Sequence, residues 1–238
     1  MSISTMLVLG LIQTALELIP AHLVNHPIVL DNARSRGKAP QDLLLDERFH
    51  AKAFAAVPDA KKRGRPDIAH RSLLVALDSV LAKEGQLELF IQTYGGDIIQ
   101  VKAGTRLPRR ISRFIGLMEQ LLANKRVPLR GEPLLQIVPG TLETFLNELN
   151  PSRTILLSEK GNPTTPVQLA QVLVKESRPV VLVGGFAHGD PTEDLLQMVD
   201  QQVSFDPETL ATSTIVGMLI HSLEQVLDLS RQRFHKTK

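Results

Sequence analysis

Residues 180–190 read Val180-Val181-Leu182-Val183-Gly184-Gly185-Phe186-Ala187-His188-Gly189-Asp190. Four branched apolar residues in succession predict a strand covered on both faces, because a half-exposed strand alternates apolar with polar positions. The strand then enters a short loop holding Gly184, Gly185 and Gly189. Glycine is needed where the backbone takes positive φ or where something approaches the main chain closely. In an open α/β sheet, ligands bind beyond the carboxyl ends of strands, which is where this loop falls. A tight turn with a glycine bulge is the other reading. The spacing Gly-x-Gly-x-x-Gly is absent, so the loop admits a nucleotide-like ligand without supporting the usual dinucleotide mode.

Outward from this stretch the C-terminal third is regular. A strand is predicted at Thr154–Leu157, a helix at Val167–Glu176 and a third short strand at Val203–Phe205. Asp206-Pro207-Glu208 is expected to open a long helix, with a capping residue, proline at the first helical position and an early acid. Its stripe of Ile215, Met218, Leu219, Leu223, Val226 and Leu227 can face the core or a second subunit. Toward the N-terminus the pattern predicts a strand at Met6–Leu11, a helical run through Leu18 that Pro20 ends, and a short strand at Pro27–Asp31. Residues 32–66 lack apolar periodicity and read as mostly loop, with a short helix near Leu43–Phe54. From Asp67, Ile68, Leu73, Leu74, Leu77, Val80 and Leu81 share a helical face. Leu87–Thr93 and Ile98–Val101 flank Tyr94-Gly95-Gly96-Asp97, a hairpin signal. A helix follows Pro108, then a strand at Leu134–Val138 and a short helix at Thr141–Leu149. Strands alternating with helices predict an α/β fold, a mostly parallel sheet flanked by helices, with a small β-rich insertion.

The 238 residues can bury a full core. No window of apolar residues is long enough to span a membrane, and the apolar N-terminus lacks the basic start of a signal peptide. Having no cysteine excludes disulfides, thiolate catalysis and cysteine zinc sites, and fits a cytoplasmic protein. A net charge of +2 does not by itself diagnose nucleic-acid binding, but the basic residues are clustered, and distribution matters more than the sum.

One cluster is Arg63-Gly64-Arg65-Pro66-Asp67, where Asp67 can pair with Arg65 and aim its guanidinium. Asp67 can equally be the cap of the following helix, and both readings can hold together. The other is Arg106-Leu107-Pro108-Arg109-Arg110-Ile111-Ser112-Arg113. Arg109 and Arg113 would stand one turn apart on an exposed face near the start of a helix, the wrong end for positive charge by a few tenths of about 1 kcal/mol per residue. An anionic partner compensates for this, and spaced guanidinium forks suit phosphates and base edges. A solvated basic face is the plainer reading. Lys125, Arg126 and Arg130 can extend the patch. His22 and His26 have helical spacing, but Leu23 stands where a zinc protease has glutamate, so no metal site is read. His188 lies in the glycine loop, where it can be functional, but a hydrogen bond to backbone is the expected role, and neither a serine elbow nor a phosphate-binding P-loop is present.

Taken in order, Arg-Gly-Arg-Pro-Asp at 63–67, the arginines at 106, 109 and 113, and Gly-Gly-Phe-Ala-His-Gly at 184–189 resemble the small-subunit ribosomal RNA pseudouridine N1-methyltransferases of the SPOUT, or α/β-knot, class. Ala-Leu-Glu-Leu-Ile-Pro at 15–20 adds to a likeness that covers nearly the whole chain. The resemblance implies one SPOUT-type domain over 1–238, with RNA-binding subregions around 32–66 and 85–140. It also implies a C-terminal trefoil knot, a homodimer, S-adenosylmethionine as cofactor, and small-subunit ribosomal RNA and ribosome-assembly proteins as partners. By position, Leu157, Ser158, Gly161, Gly184, Gly189 and the loop Phe205, Asp206, Pro207, Glu208, Thr209 and Leu210 would contact the cofactor; this last loop carries more acids than the family pattern. Arg65, Arg106, Arg109 and Arg113 would hold the RNA. Arg65 and Asp67 would act at the reacting base, with Asp67 orienting Arg65. Two other readings remain: an RNA-binding ribosome-assembly factor with weak or dispensable methyl transfer, and a small-molecule methyltransferase, which would leave the arginines without a purpose.

Overall fold

The four apolar residues at 180–183 lie at the centre of a sheet, each no more than 1 % exposed. The computed structural model describes residues 6–236. The chain begins with β1 (Leu7–Thr14), α1 (Pro27–Arg36), α2 (Glu47–His50), α3 (Pro66–Leu77) and α4 (Val80–Lys83). It continues through β2 (Leu87–Thr93), β3 (Ile98–Val101), α5 (Ile111–Asn124), β4 (Arg126–Val127), β5 (Leu135–Val138) and α6 (Leu142–Leu149). The last third comprises β6 (Arg153–Pro163), α7 (Pro166–Leu173), β7 (Pro179–Gly184), α8 (Glu193–Gln197), β8 (Gln201–Ser204), α9 (Thr212–Val226) and α10 (Leu229–Lys236).

These strands form one sheet in the order β4-β5-β3-β2-β1-β7-β6-β8. The run from β2 to β8 is parallel, and β3, β5 and β4 continue the sheet antiparallel. The predicted β-rich insertion is thus an extension of the main sheet. In register, Val181 sits between Leu9 of β1 and Ile155 of β6. Leu9, Val181, Val183 and Ile155 pack under α3, α5, α7 and α9, while Val8, Val180, Leu182 and Leu156 face α6 and Leu195. Helices on both faces are why the strand sequence is continuously apolar.

Four expectations are corrected. No helix runs through Leu18: β1 continues to Thr14, with Gln13 at a φ of 47°, and residues 15–18 follow it as irregular chain, Leu18 bridging to Leu44. Tertiary pairing outweighs the local apolar spacing there. Pro27–Asp31 is the start of a helix rather than a strand, because Pro27 takes the first helical position and the His26 ring accepts the Ile28 N–H. Residues 32–66 are not mostly loop: α1, α2 and intervening 3-10 turns enclose a small core of Ile19, Leu23, Val29, Leu43, Leu45 and Ala53. Finally, Asp206 does not open α9, which starts at Thr212 with Ala211 as its cap residue. Asp206 instead accepts the Glu208 N–H at 2.8 Å in a local turn, a competing use of aspartate that its side chain makes available.

Buried charge holds the 27–66 region in place. Glu119 of α5 is only 2 % exposed, and its carboxylate accepts from Arg36 at 2.5 and 2.8 Å, from Lys38 at 2.6 Å and from the Leu44 N–H at 3.0 Å. Burial alone would raise its pKa, but these donors hold it lowered. Glu17 takes two bonds from Arg63, at 2.7 and 2.5 Å.

Candidate active site

Parallel β6, β7 and β8 are neighbours, so their carboxyl ends open on the same side. There a cleft of about 520 Å³ is lined by Leu157 and Ser158 from β6, Val183 and Gly184 from β7, and Val203 and Ser204 from β8. The loop 186–191, the segment 205–211 and the first turn of α9 close its sides. A third contribution comes from far back in the chain: Arg65, Ile68 and Arg71 at the start of α3. The volume falls in the range of small-molecule sites, and the position is the one at which open α/β sheets bind ligands.

The glycine loop is held by backbone and side chain together. Gly185 donates its N–H to Ile12 at 2.8 Å and accepts from Ala15 at 3.1 Å, and Thr212 donates its hydroxyl to the Gly184 carbonyl at 2.8 Å. Gly189 takes φ of +109°, where a side chain is strained. Lys62 braces the loop from outside: its ammonium donates to the Asp190 carbonyl and lies 5.0 Å from the Phe186 ring centroid. The His188 N–H donates to the Lys61 carbonyl at 3.3 Å, whereas its side chain does not make the expected bond to backbone and His188 lines the cleft. The stretch before Arg63 and the glycine loop are thereby one connected structure.

Arg65 and Asp67 pair in a forked geometry, at 2.8 and 2.9 Å. Asp67 is not the cap of α3. Pro66 takes the first helical position and Arg65 the cap position, leaving Asp67 inside the first turn. Asp67 also accepts from Arg71, one turn further along. Burial pushes the carboxyl of Asp67 up, but the hydrogen bonds and charges of Arg65 and Arg71 outweigh it and hold the pKa at about 2.

The second arginine cluster lies outside the cleft. Arg106, Arg109 and Arg113 are exposed. Arg109 precedes α5 rather than sitting on it, because the helix begins at Ile111, and its guanidinium is 3.6 Å from Asp78. His70 of α3 ties this segment to the same helix as Asp67. It donates to the Pro108 carbonyl at 2.7 Å and stacks on Phe114, with ring centroids 4.5 Å apart.

Of the expected cofactor contacts, Leu157, Ser158, Gly184, Gly189, Phe205, Asp206, Glu208, Thr209 and Leu210 line the cleft, whereas Gly161 and Pro207 do not. Gly161 serves a different need. A Cβ on it would lie 2.4 Å from the Val203 carbonyl carbon and 2.5 Å from its nitrogen, so glycine lets β6 and β8 approach backbone to backbone. Sequence reading passed over Arg71 and His70. Arg71 stands four residues after Asp67 and His70 four after Pro66, a helical spacing already present in the helix read from Asp67.

The sequence profile of the EMG1/NEP1 methyltransferase family matches residues 9–224, which include every segment lining the cleft. This chain belongs to that family. It is 41 % identical over 220 residues to the ribosomal RNA small subunit methyltransferase Nep1 of Staphylothermus marinus, covering 92 % of this chain and 95 % of that one. To the same-named protein of Thermococcus kodakarensis it is 38 % identical, covering 94 % of this chain and all of the other. The crystal structure of Archaeoglobus fulgidus Nep1 bound to S-adenosylhomocysteine superposes with a TM-score of 0.82, at 32 % identity, covering 92 % and 97 % of the two chains. The α/β fold described above is therefore the fold of that family.

Proposed function

We propose that the protein transfers a methyl group from S-adenosylmethionine to N1 of a pseudouridine in small-subunit ribosomal RNA. The observation that carries this reading is that Arg65 and the glycine loop at 184–189, far apart in the chain, line one cleft. The named relatives act on small-subunit ribosomal RNA, and a solved relative binds S-adenosylhomocysteine. The residues present fit such a cofactor. Val183, Val203, Ile215, Leu157 and Leu210 offer an apolar bed for an adenine ring, while Glu159, Asp206 and Glu208 supply negative charge for a cationic sulfonium and amine.

When bound, the cofactor supplies an electrophilic methyl group. Pseudouridine exposes an N1 that carries a proton, whereas in uridine the sugar blocks that position. The N1–C bond forms as the S–CH3 bond breaks, and the N1 proton passes to solvent. Arg65 stabilises the negative charge that develops on the base as that proton leaves. Asp67, held at a pKa of about 2, is a poor base, and its role is to fix the plane of Arg65. The target base has to leave its stack to enter the cleft. Exposed Arg106, Arg109 and Arg113 hold the flanking backbone.

The same reading makes the chain one SPOUT-type unit, with residues 32–66 and 85–140 bearing most of the RNA contacts. It also assigns a knotted C-terminal third and a cytoplasmic homodimer.

The test is methyl transfer from labelled S-adenosylmethionine to two matched RNA stem-loops, one with uridine and one with pseudouridine at the target. Product on the pseudouridine RNA alone is expected. If both RNAs bind tightly and neither is methylated, the assembly-factor reading replaces this one.

A further inference from the structure

Arg71 belongs to none of the sequence clusters, yet it lines the cleft beside Arg65. One carboxylate serves both residues. Arg65 donates through Nε to Oδ1 and through Nη2 to Oδ2 of Asp67, and Arg71 donates through Nη2 to Oδ2. The Arg71 Nε also lies 3.4 Å from the Asp67 carbonyl. Asp67 thus offsets one of two positive charges. Among the described residues, Nη1 of Arg65 and Nη1 of Arg71 have no acceptor. Their side chains are 33 % and 59 % exposed, against 20 % for Asp67. Both arginines that line the cleft are thus more exposed than the carboxylate that holds them.

Other acids near the pair do not cancel the remaining charge. Asp46 is occupied by Arg48, with its closest contact at 2.5 Å, and Glu47 reaches Arg65 only through space. The carboxylates that line the cleft, Glu159 of β6 and Asp190, Asp206 and Glu208 of the loops, lie outside α3, and Asp190 is paired with Lys160 at 2.7 Å. The α3 side of the cleft is consequently cationic and the loop side anionic. Two guanidinium groups held on a shared carboxylate, each with a free donor, suit a tetrahedral anion, which accepts from several directions at once.

We propose that Arg71 and Arg65, locked onto Asp67, form a two-guanidinium fork that receives a backbone phosphate of the RNA next to the target nucleotide. The inference rests on RNA being the substrate of this cleft. It adds Arg71 as a binding residue and places one phosphate on the α3 side of the cleft. An acidic group of the cofactor is the other anion that could seat here, and the anionic loop side favours the cofactor's cationic groups instead.

The experiment measures equilibrium binding of the pseudouridine stem-loop across a salt series, and binding of S-adenosylhomocysteine, for wild type, Arg71→Ala, Arg71→Lys, Arg65→Ala and the double alanine variant. Arg71→Ala is expected to weaken RNA binding about 10-fold, the scale of one lost charge-assisted contact. It should also reduce the slope of log affinity against log salt by about 0.7. Arg71→Lys should recover the slope and only part of the affinity, since an ammonium keeps the charge without the fork. S-adenosylhomocysteine affinity should stay unchanged, and in the Arg65→Ala background Arg71→Ala should cost a further loss of affinity and slope.

Unchanged RNA affinity and slope in Arg71→Ala would overturn the fork while leaving the RNA reading intact. A loss that vanishes in the Arg65→Ala background would make Arg71 only a prop for Arg65. A loss confined to S-adenosylhomocysteine would assign the anion to the cofactor. If wild type itself fails to bind the RNA, the substrate reading falls and the fork with it.

Discussion

At the scale of single residues, Asp67 decides how the site can work. Its carboxylate stays ionised at any pH where an enzyme of this kind operates, because two guanidinium groups hold its pKa at about 2. Methyl transfer by wild type is therefore expected to show no ionisation limb from Asp67 between about pH 5 and pH 9. The linkage sign follows from a depressed pKa. The clamp contributes stability above the unfolded value of about 3.9 and loses it as pH falls toward about 2. Acid denaturation of wild type and Asp67→Asn should differ by a constant amount above about pH 5, and the curves should converge near about pH 2. Asp67→Asn should also weaken RNA binding about 10-fold, by freeing both arginines, with S-adenosylhomocysteine affinity retained. The pair Arg65–Asp67 was legible in the sequence from proximity alone. Arg71 stands one helical turn after Asp67, but that spacing does not by itself tell that the carboxylate reaches forward to Arg71 as well as back to Arg65.

Elements bring distant residues into register, and two of their contacts are sharply testable. The strand β6 extends beyond the predicted Thr154–Leu157 to Pro163, with its register against β8 shifting between Leu157 and Asn162. Gly161 sits in that shifted portion, against the backbone of Val203, which cannot move aside as a flexible side chain can. Gly161→Ala is expected to cost about 1–3 kcal/mol in denaturant titration, and to weaken S-adenosylhomocysteine binding because Val203 lines the cleft. Gly184→Val should weaken cofactor binding with a smaller stability loss. Its Cβ would meet the Phe186 ring at 2.9 Å, and a ring can turn. On α5, Glu119→Ala would strand Arg36, Lys38 and the buried Leu44 N–H. A loss of about 3 kcal/mol is expected, the scale of breaking a buried charge cluster by removing one partner. Glu119 appeared in the sequence as an ordinary helix residue beside an apolar stripe. Only the folding of 27–66 against α5 turns it into a buried anchor.

For the molecule as a whole, the proposed reading puts cofactor and target base in the cleft and the flanking RNA on the exposed 106–113 segment, which His70 ties to α3. The cleft takes charge of one sign from the strand-end loops and of the other from Arg65 and Arg71, while Arg106, Arg109 and Arg113 stay exposed outside it. Replacing those three by alanine should lower RNA affinity and reduce the salt slope by about 2 to 3, without changing S-adenosylhomocysteine affinity. Equal loss of both ligands would show that the two surfaces are not separable. The alternation of apolar strands and amphipathic helices was enough to determine an α/β sheet, because burial on two faces leaves a continuous apolar run and burial on one face leaves a stripe. The ordered arginine and glycine motifs were enough to suggest the family, since such residues answer to local demands: a free backbone, a charge, a fork. What the tertiary structure decided were the features that depend on partners distant in sequence. These are the end of β1 set by pairing on both sides, the late start of α9 that frees 205–211 to wall the cleft, the carboxylate of Glu119 shared by the 36–44 segment, and the meeting of α3 with the glycine loop. Local pattern cannot encode them, because their energies arise only when two remote segments exclude water from each other.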